Sequence, residues 1–251
     1  LSDHSISYAH SFLFFVAALV ISCQAVDAQR ANPYGLSILN DIPTFLRTVK
    51  LDSNKAFVEI NDYAPTIALD IKYATTQNVF YTQLYKQPRA YARRPVARAL
   101  AAVQTDLATM GVGLKIYDAY RPYSVTCQMF EMLPDTVYMG LPRQGSRHNR
   151  GVALDLMLID LTTGNELRMP TPFDALVYAA HPNFDRLPAD VIHNRELLKT
   201  TMQRHGFTVD PVEWWHYNYK TDTTFELLDL SFDEIARTLH RPATKQRSRR
   251  R

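Results

Sequence analysis

The run Gly151-Val-Ala-Leu-Asp-Leu-Met-Leu-Ile159 constrains this chain more than any other stretch. It is apolar nearly throughout and reads as a buried strand. Yet Asp155 sits in its middle, where a carboxylate is costly unless it is paired or bound to a metal. His148 precedes it in Ser146-Arg-His-Asn-Arg150, and a second polar group group-set arrives later in Glu213-Trp-Trp-His-Tyr-Asn-Tyr219. That segment is aromatic-rich and also strand-like, so Glu213 and His216 are two more ionisable groups in apolar company.

Two imidazoles and one carboxylate suit a catalytic zinc, which takes three protein ligands from His and Asp/Glu and leaves a fourth position to water. A base must then accept that water's proton, and Glu213, three residues before His216, is placed for it. Singly, His148 also reads as a solvated loop histidine and Asp155 as a surface carboxylate. Their shared apolar setting favours one zinc per chain, held by His148, Asp155 and His216. Geometry adds a condition. In a flat strand Glu213 and His216 point to opposite faces. Either Glu213 precedes the regular strand or a bulge re-aims it.

Ser-x-His-x6-Asp followed by Glu-Trp-Trp-His resembles the VanX-type D-alanyl-D-alanine dipeptidases, a family of zinc D,D-peptidases. The likeness extends to Pro65–Thr75 with Asn78, to Tyr117-Asp-Ala-Tyr-Arg-Pro122, and to Asn194–Leu198 with Gly206-Phe207. It runs from about Phe57 to Thr238, and departs in Val79–Tyr91, where the family has a Gly-containing turn and this chain has Tyr81-Thr-Gln-Leu-Tyr-Lys86. The resemblance implies that Arg121 stabilises the oxyanion of peptide hydrolysis. It also implies that Asp118 holds Arg121, that Asp174 meets the free amine of a dipeptide, and that Ser146 hydrogen-bonds substrate. Read alone, Asp118 and Arg121 also fit a structural ion pair, Asp174 a helix N-cap before Ala175-Leu-Val-Tyr, and Ser146 a loop hydroxyl. Tyr117 and Tyr120 read as packing residues. His181, His193, His205 and His240 read as structural.

Three functions compete. The first is hydrolysis of free D-Ala-D-Ala in cell-wall dipeptide turnover. The second is a zinc D,D-carboxypeptidase or endopeptidase acting on peptidoglycan stem peptides. The third is a non-enzymatic module that keeps zinc for stability, against which Glu213 and Arg121 argue, because a structural metal requires neither.

The ends of the chain read differently from its body. Phe12–Ile21 is an apolar run too short to span a membrane, and with Val26-Asp-Ala28 it reads as a secretory signal over residues 1–28. This predicts export to the periplasm or cell envelope. Val20-Ile-Ser-Cys23 also fits a lipoprotein site that would lipidate Cys23. With the signal removed only Cys127 remains, so no internal disulfide can form. It reads as a buried small hydrophobe. Residues 29–56 read as a variable lead-in, 57–238 as the enzyme domain and 239–251 as a basic, disordered tail. The net charge of +3 reflects that tail, where Arg241, Lys245, Arg247 and Arg249 to Arg251 carry six positive charges with no acid. The body is nearly neutral, so no nucleic-acid surface is expected on it.

A coarse reading gives short strands at 57–60 and 67–71. A helix opens at Arg94-Pro95 with an apolar face including Val96, Leu100, Val103, Leu107 and Met110. A strand at 114–117, a helix to about Met132, a helix capped by Asn194 and ended by Gly206, and a last helix behind Ser231-Phe-Asp-Glu234 follow. The expected fold is a single α+β domain whose central, largely antiparallel sheet is flanked by helices and carries the zinc site.

Overall fold

Nine strands and five helices make up the computed structural model, which describes residues 32–239. The signal segment with Cys23, the tail beyond Leu239 and His240 lie outside the described residues. In chain order the strands are β1 (Ile38–Leu39), β2 (Phe57–Glu59), β3 (Ala68–Leu69), β4 (Tyr91–Arg93), β5 (Val112–Asp118), β6 (Ala153–Asp160), β7 (Phe207–Val209), β8 (His216–Tyr219) and β9 (Leu227–Leu228). The helices are α1 (Ile42–Leu51), α2 (Arg94–Ala108), α3 (Tyr123–Met132), α4 (Ala189–Arg204) and α5 (Phe232–Leu239). The main sheet has the order β3-β5-β6-β8-β7, antiparallel except for β3 against β5. Two small sheets pair β1 with β9 and β2 with β4.

Side-chain alternation divides the main sheet into two faces. Leu154, Leu156 and Leu158 of β6 are fully buried on one face, as are their neighbours Leu114 and Ile116 of β5. Helices α2 and α4 pack against the sheet, with Leu100, Val103, Leu107, Leu198 and Met202 buried. The other face carries Asp155 and Met157. Residues directly opposite one another across a strand pair share a face. Asp155 is opposite His216 of β8 and opposite Asp118 of β5, so the three polar groups line up across three strands. Asp118 reaches that face because the β5 register slips between Ile116 and Asp118, with Tyr117 as the extra residue. Without the bulge, strict alternation would turn Asp118 toward the helices.

Several local expectations change. Asn194 does not cap α4. The helix begins at Ala189 after Pro188, whose restricted φ suits a helix entrance, and the Asn194 amide donates to the Arg168 carbonyl from inside the helix. Helix α2 ends at Ala108, leaving Met110 exposed beyond it. Of 67–71 only Ala68–Leu69 pair as strand. Cys127 is half-buried on α3. The lead-in contributes ordered structure. Asp41 caps α1 by accepting from the Thr44 amide, Phe45 is buried, and β1 joins β9. Ser231 and Glu234 form the reciprocal cap expected for α5.

Candidate active site and metal centre

Asp155, His148 and His216 converge from three different local structures. Asp155 lies on β6 and His216 opens β8. His148 starts a short 3-10 turn, His148–Arg150, closed by Gly151 in the left-handed region at φ +70°. A Cβ at Gly151 would come within 2.5 Å of the Phe57 ring, so both the turn and its packing require glycine. Candidate ligand atoms of the three residues all lie within 4.8 Å of one another.

The outer hydrogen bonds set the imidazole orientations. His148 Nδ1 lies 2.7 Å from the Ala119 carbonyl, which only accepts, so this nitrogen donates and Nε2 keeps its lone pair. His216 Nε2 faces the Asn218 side-chain oxygen at 3.1 Å, which leaves Nδ1 inward. Those inward nitrogens are 3.5 and 3.2 Å from Asp155 Oδ1. Oδ1 is buried and has no hydrogen-bond partner. A buried carboxylate oxygen facing two imidazole lone pairs is a cation-shaped demand, and this donor set fits zinc. Burial lowers the His216 imidazole, yet Asp155 and Glu213 lift it to about 9, so the cluster attracts positive charge, which either a proton on His216 or a metal ion can supply.

Glu213 precedes β8, which resolves the alternation problem without a bulge in that strand. It enters a tight turn whose next two residues, Trp214 and Trp215, are both buried with rings nearly perpendicular. Trp214 donates its amide to the Ala180 carbonyl and its indole N–H to Thr171 Oγ1. The anchored turn brings Glu213 Oε2 to 3.5 Å from His216 Nδ1. Burial pushes the Glu213 carboxyl up to about 8, against His216 and with the help of Asp155 and Asp210. A more basic carboxylate is a better proton acceptor.

Arg121 is buried beside the triad. Its Nε and one terminal nitrogen donate to Asp118 Oδ2 at 3.0 and 2.7 Å, and that same terminal nitrogen is 3.9 Å from Asp155 Oδ2. Asp118 Oδ1 accepts from the Tyr85 hydroxyl at 2.8 Å and from the Ala119 amide at 2.9 Å. The pair is therefore built into the core, and the guanidinium is held in one place. Ser146 lines the cavity above the triad, and its hydroxyl accepts from the His148 amide at 3.2 Å.

Asp174 caps no helix. It has φ +59°, and the following segment forms only a short 3-10 turn at Tyr178–Ala180. Its carboxylate turns inward and accepts from the Tyr73 hydroxyl at 3.2 and 3.0 Å. Burial, with Asp155 adding, pushes this carboxyl up to about 8. An ammonium arriving beside it would supply the missing opposite charge. The cavity lined by the triad, Glu213, Arg121, Ser146 and Asp174 measures about 210 Å³, well below the roughly 300–1,000 Å³ of sites for drug-sized ligands.

Four side chains that the sequence did not mark complete the site. Tyr73 and Tyr85 hold Asp174 and Asp118, and Asn218 orients His216. Buried Asn149 donates to the Arg121 carbonyl and Thr126 Oγ1, fastening the His148 turn to α3. The remaining described histidines stand apart. His205 pairs with Asp106 at 2.8 Å, and His181 touches Tyr138.

Residues 53–236 match the peptidase M15 family, described as D-ala-D-ala dipeptidase. A D-alanyl-D-alanine dipeptidase of Escherichia coli (strain K12) is 33% identical over 164 residues, covering 65% of this chain and 84% of that protein. One from Enterococcus faecium is 28% identical over 181 residues, covering 64% and 90%. Among solved structures, the LD-carboxypeptidase LdcB aligns at 20% identity with a TM-score of 0.36, over 51% of this chain and 59% of that one. The D,D-dipeptidase VanXYg in complex with a D-Ala-D-Ala phosphinate analog aligns at 16% identity with a TM-score of 0.34, over 65% and 66%.

Proposed function

The chain belongs to the peptidase M15 family of D-Ala-D-Ala dipeptidases, and on that premise we propose that it hydrolyses free D-Ala-D-Ala to two D-alanines with one zinc held by His148, Asp155 and His216. The observation that carries this reading is the content of the small cavity: a cation-seeking triad, a buried carboxylate base, a fixed guanidinium and a second inward carboxylate. Zinc bound to the triad supplies a water of lowered pKa and polarises the scissile carbonyl.

The chain's own groups divide the remaining work. Asp174 takes the substrate ammonium and so sets the position of the adjoining peptide carbonyl. Glu213 accepts a proton from the attacking water as its oxygen bonds to the carbonyl carbon. Arg121 faces the negative charge that develops on the carbonyl oxygen, and Asp118 with Tyr85 keeps it from swinging away. The proton on Glu213 passes to the leaving nitrogen as the C–N bond breaks, which balances the hydrolysis. Ser146 offers its hydroxyl to the substrate from the cavity wall.

Arg121→Ala is expected to keep bound zinc and lose about 10²–10³-fold, chiefly in kcat, as for a lost oxyanion donor. Parallel metal analysis and steady-state kinetics measure this. The substrate reading is tested with D-Ala-D-Ala, its N-acetyl form and a stem pentapeptide, each with and without chelator. Acylation removes the ammonium and leaves Asp174 buried without its partner, at a cost of about 2–5 kcal/mol. The dipeptide should therefore lead by roughly 30- to several-thousand-fold in kcat/KM. Asp174→Ala should slow the dipeptide and narrow that lead. Equal rates on all three substrates would reject the dipeptidase reading and select the carboxypeptidase one.

An exported location, in periplasm or envelope, suits turnover of wall-derived dipeptide. No helix among the described residues is long and apolar enough to cross a membrane.

A further inference from the structure

The family match spans residues 53–236, yet the fold carries ordered structure on both sides of it. Helix α1 lies ahead of the matched region, and Arg237 to Leu239 finish α5 beyond it. The two ends come together. Strand β1 pairs with β9, α1 packs against α5, and Phe45 and Ile235 are buried. A groove of about 690 Å³ is lined by residues of these two helices alone. It shares no residue with the catalytic cavity.

Ile42, Pro43 and Leu46 give the groove an apolar floor, and Arg47, Lys50 and Arg237 supply three cations with no acid among the described lining residues. The cations are open to a partner. Lys50 and Arg237 make no ion pair or hydrogen bond among the described residues, and Arg47 reaches only the Thr44 hydroxyl. The acids nearest in sequence are engaged. Asp41 and Asp52 accept from the Thr44 and Asn54 amides, Asp233 from the Gln87 amide group and Glu234 from Ser231. Leu51 extends the apolar element. It is 89% exposed and stands four residues after Arg47, on the same side of α1, so the fold itself buries almost none of it. Just beyond α5 the sequence adds Arg241, Lys245, Arg247 and Arg249 to Arg251, again with no acid.

We propose that the face formed by α1 and α5 docks on an anionic phospholipid bilayer, with the groove cations and the basic stretch that follows them over the headgroups and Leu51 at the acyl boundary. Helices that lie on a bilayer combine Lys and Arg with apolar side chains in this way. An anionic leaflet attracts clusters of such cations. The apolar part selects lipid over another polyanion. A polyphosphate or a nucleic acid would use the cations, but it has no use for an exposed leucine beside an apolar floor. Docking here engages none of the residues that line the catalytic cavity, so bound and free protein carry the same catalytic groups.

The test is co-sedimentation of the whole chain with vesicles of phosphatidylcholine alone and of equal parts phosphatidylcholine and phosphatidylglycerol. Neutral vesicles report what the apolar run Phe12–Ile21 does by itself, and the increment on anionic vesicles belongs to the cations. Wild type should bind the anionic vesicles about tenfold or more tighter at low salt and lose that increment in about 0.5 M salt, which screens the charges. Arg47→Gln, Lys50→Gln and Arg237→Gln together should weaken anionic-vesicle binding by about tenfold or more, since each cation near such a surface is worth roughly fivefold. Leu51→Gln alone should weaken it by about fivefold, through lost apolar contact. All four residues are exposed and none lines the catalytic cavity, so both variants should keep wild-type Tm and D-Ala-D-Ala turnover. No preference for anionic vesicles would overturn the proposal. Equal binding by wild type and the triple variant would assign the increment to the stretch beyond Leu239 and overturn the face. A triple variant that loses binding while Leu51→Gln retains it would mark a purely ionic contact, as with a soluble polyanion, and would overturn the bilayer as partner.

Discussion

Glu213→Gln should leave the protein folded and metal-loaded while turnover falls by about 10²–10⁴-fold, the range for loss of a general acid–base group. Glutamine keeps the size of the side chain and the packing of the turn formed with Trp214 and Trp215. It removes only the ability to accept a proton. Glu213 also reaches the inward face of the triad from outside it, with Oε2 3.5 Å from His216 Nδ1. Asp118 is occupied by Arg121, Tyr85 and the Ala119 amide, and Asp174 by Tyr73, so neither is free to replace it. The measurement is kcat alongside zinc content. Because the loss belongs to the chemical step, kcat and kcat/KM should drop together. Wild-type turnover in the metal-loaded variant would show that the base is another residue.

How much of this site was legible in the sequence depends on which physical property each residue exposes. Asp155 announces itself because a carboxylate inside Val152–Ile159 violates the apolar pattern, and the β6 strand is where that pattern puts it. His148 and His216 follow as the imidazoles nearest to such strands. Glu213 could be placed only to one of two geometries, because alternation forbids its sharing a face with His216 inside a regular strand. The structure chooses the turn before β8, where the two tryptophans hold it.

The bulge at Tyr117 left no trace in the sequence. A one-residue slip reverses the face of everything after it, yet Tyr117-Asp118 reads the same with or without it. The roles of Tyr73 and Tyr85 were equally silent, since a tyrosine in an aromatic-rich loop looks like packing until its hydroxyl finds a carboxylate. Asp174 was ambiguous for a different reason. Aspartate before Ala-Leu-Val-Tyr is a good helix start, but Val177 runs extended and only a 3-10 turn follows, so the cap has nothing to cap. Asn194 misled in the same way, its side chain being engaged by the Arg168 carbonyl rather than by a helix terminus.

Replacing His148, Asp155 or His216 by alanine is expected to abolish both bound zinc and activity, a larger effect than loss of the base. Three ligands are the minimum for a catalytic site with an open position, so two leave the ion held mainly by solvent. The surroundings reinforce this. His148 is fixed by the Ala119 carbonyl and His216 by Asn218, so neither neighbour can swing to fill the gap. His181→Ala, which removes a ring packed against Tyr138 and the neighbouring Tyr178, should keep full zinc. A second readout does not depend on turnover. A metal that binds only the native state stabilises it by about 2.7 kcal/mol at a hundredfold excess over Kd. Chelator should therefore lower the Tm of the wild-type and His181→Ala proteins and leave that of the three ligand variants unmoved. Full zinc occupancy in both the His148→Ala and His216→Ala proteins would place the metal elsewhere.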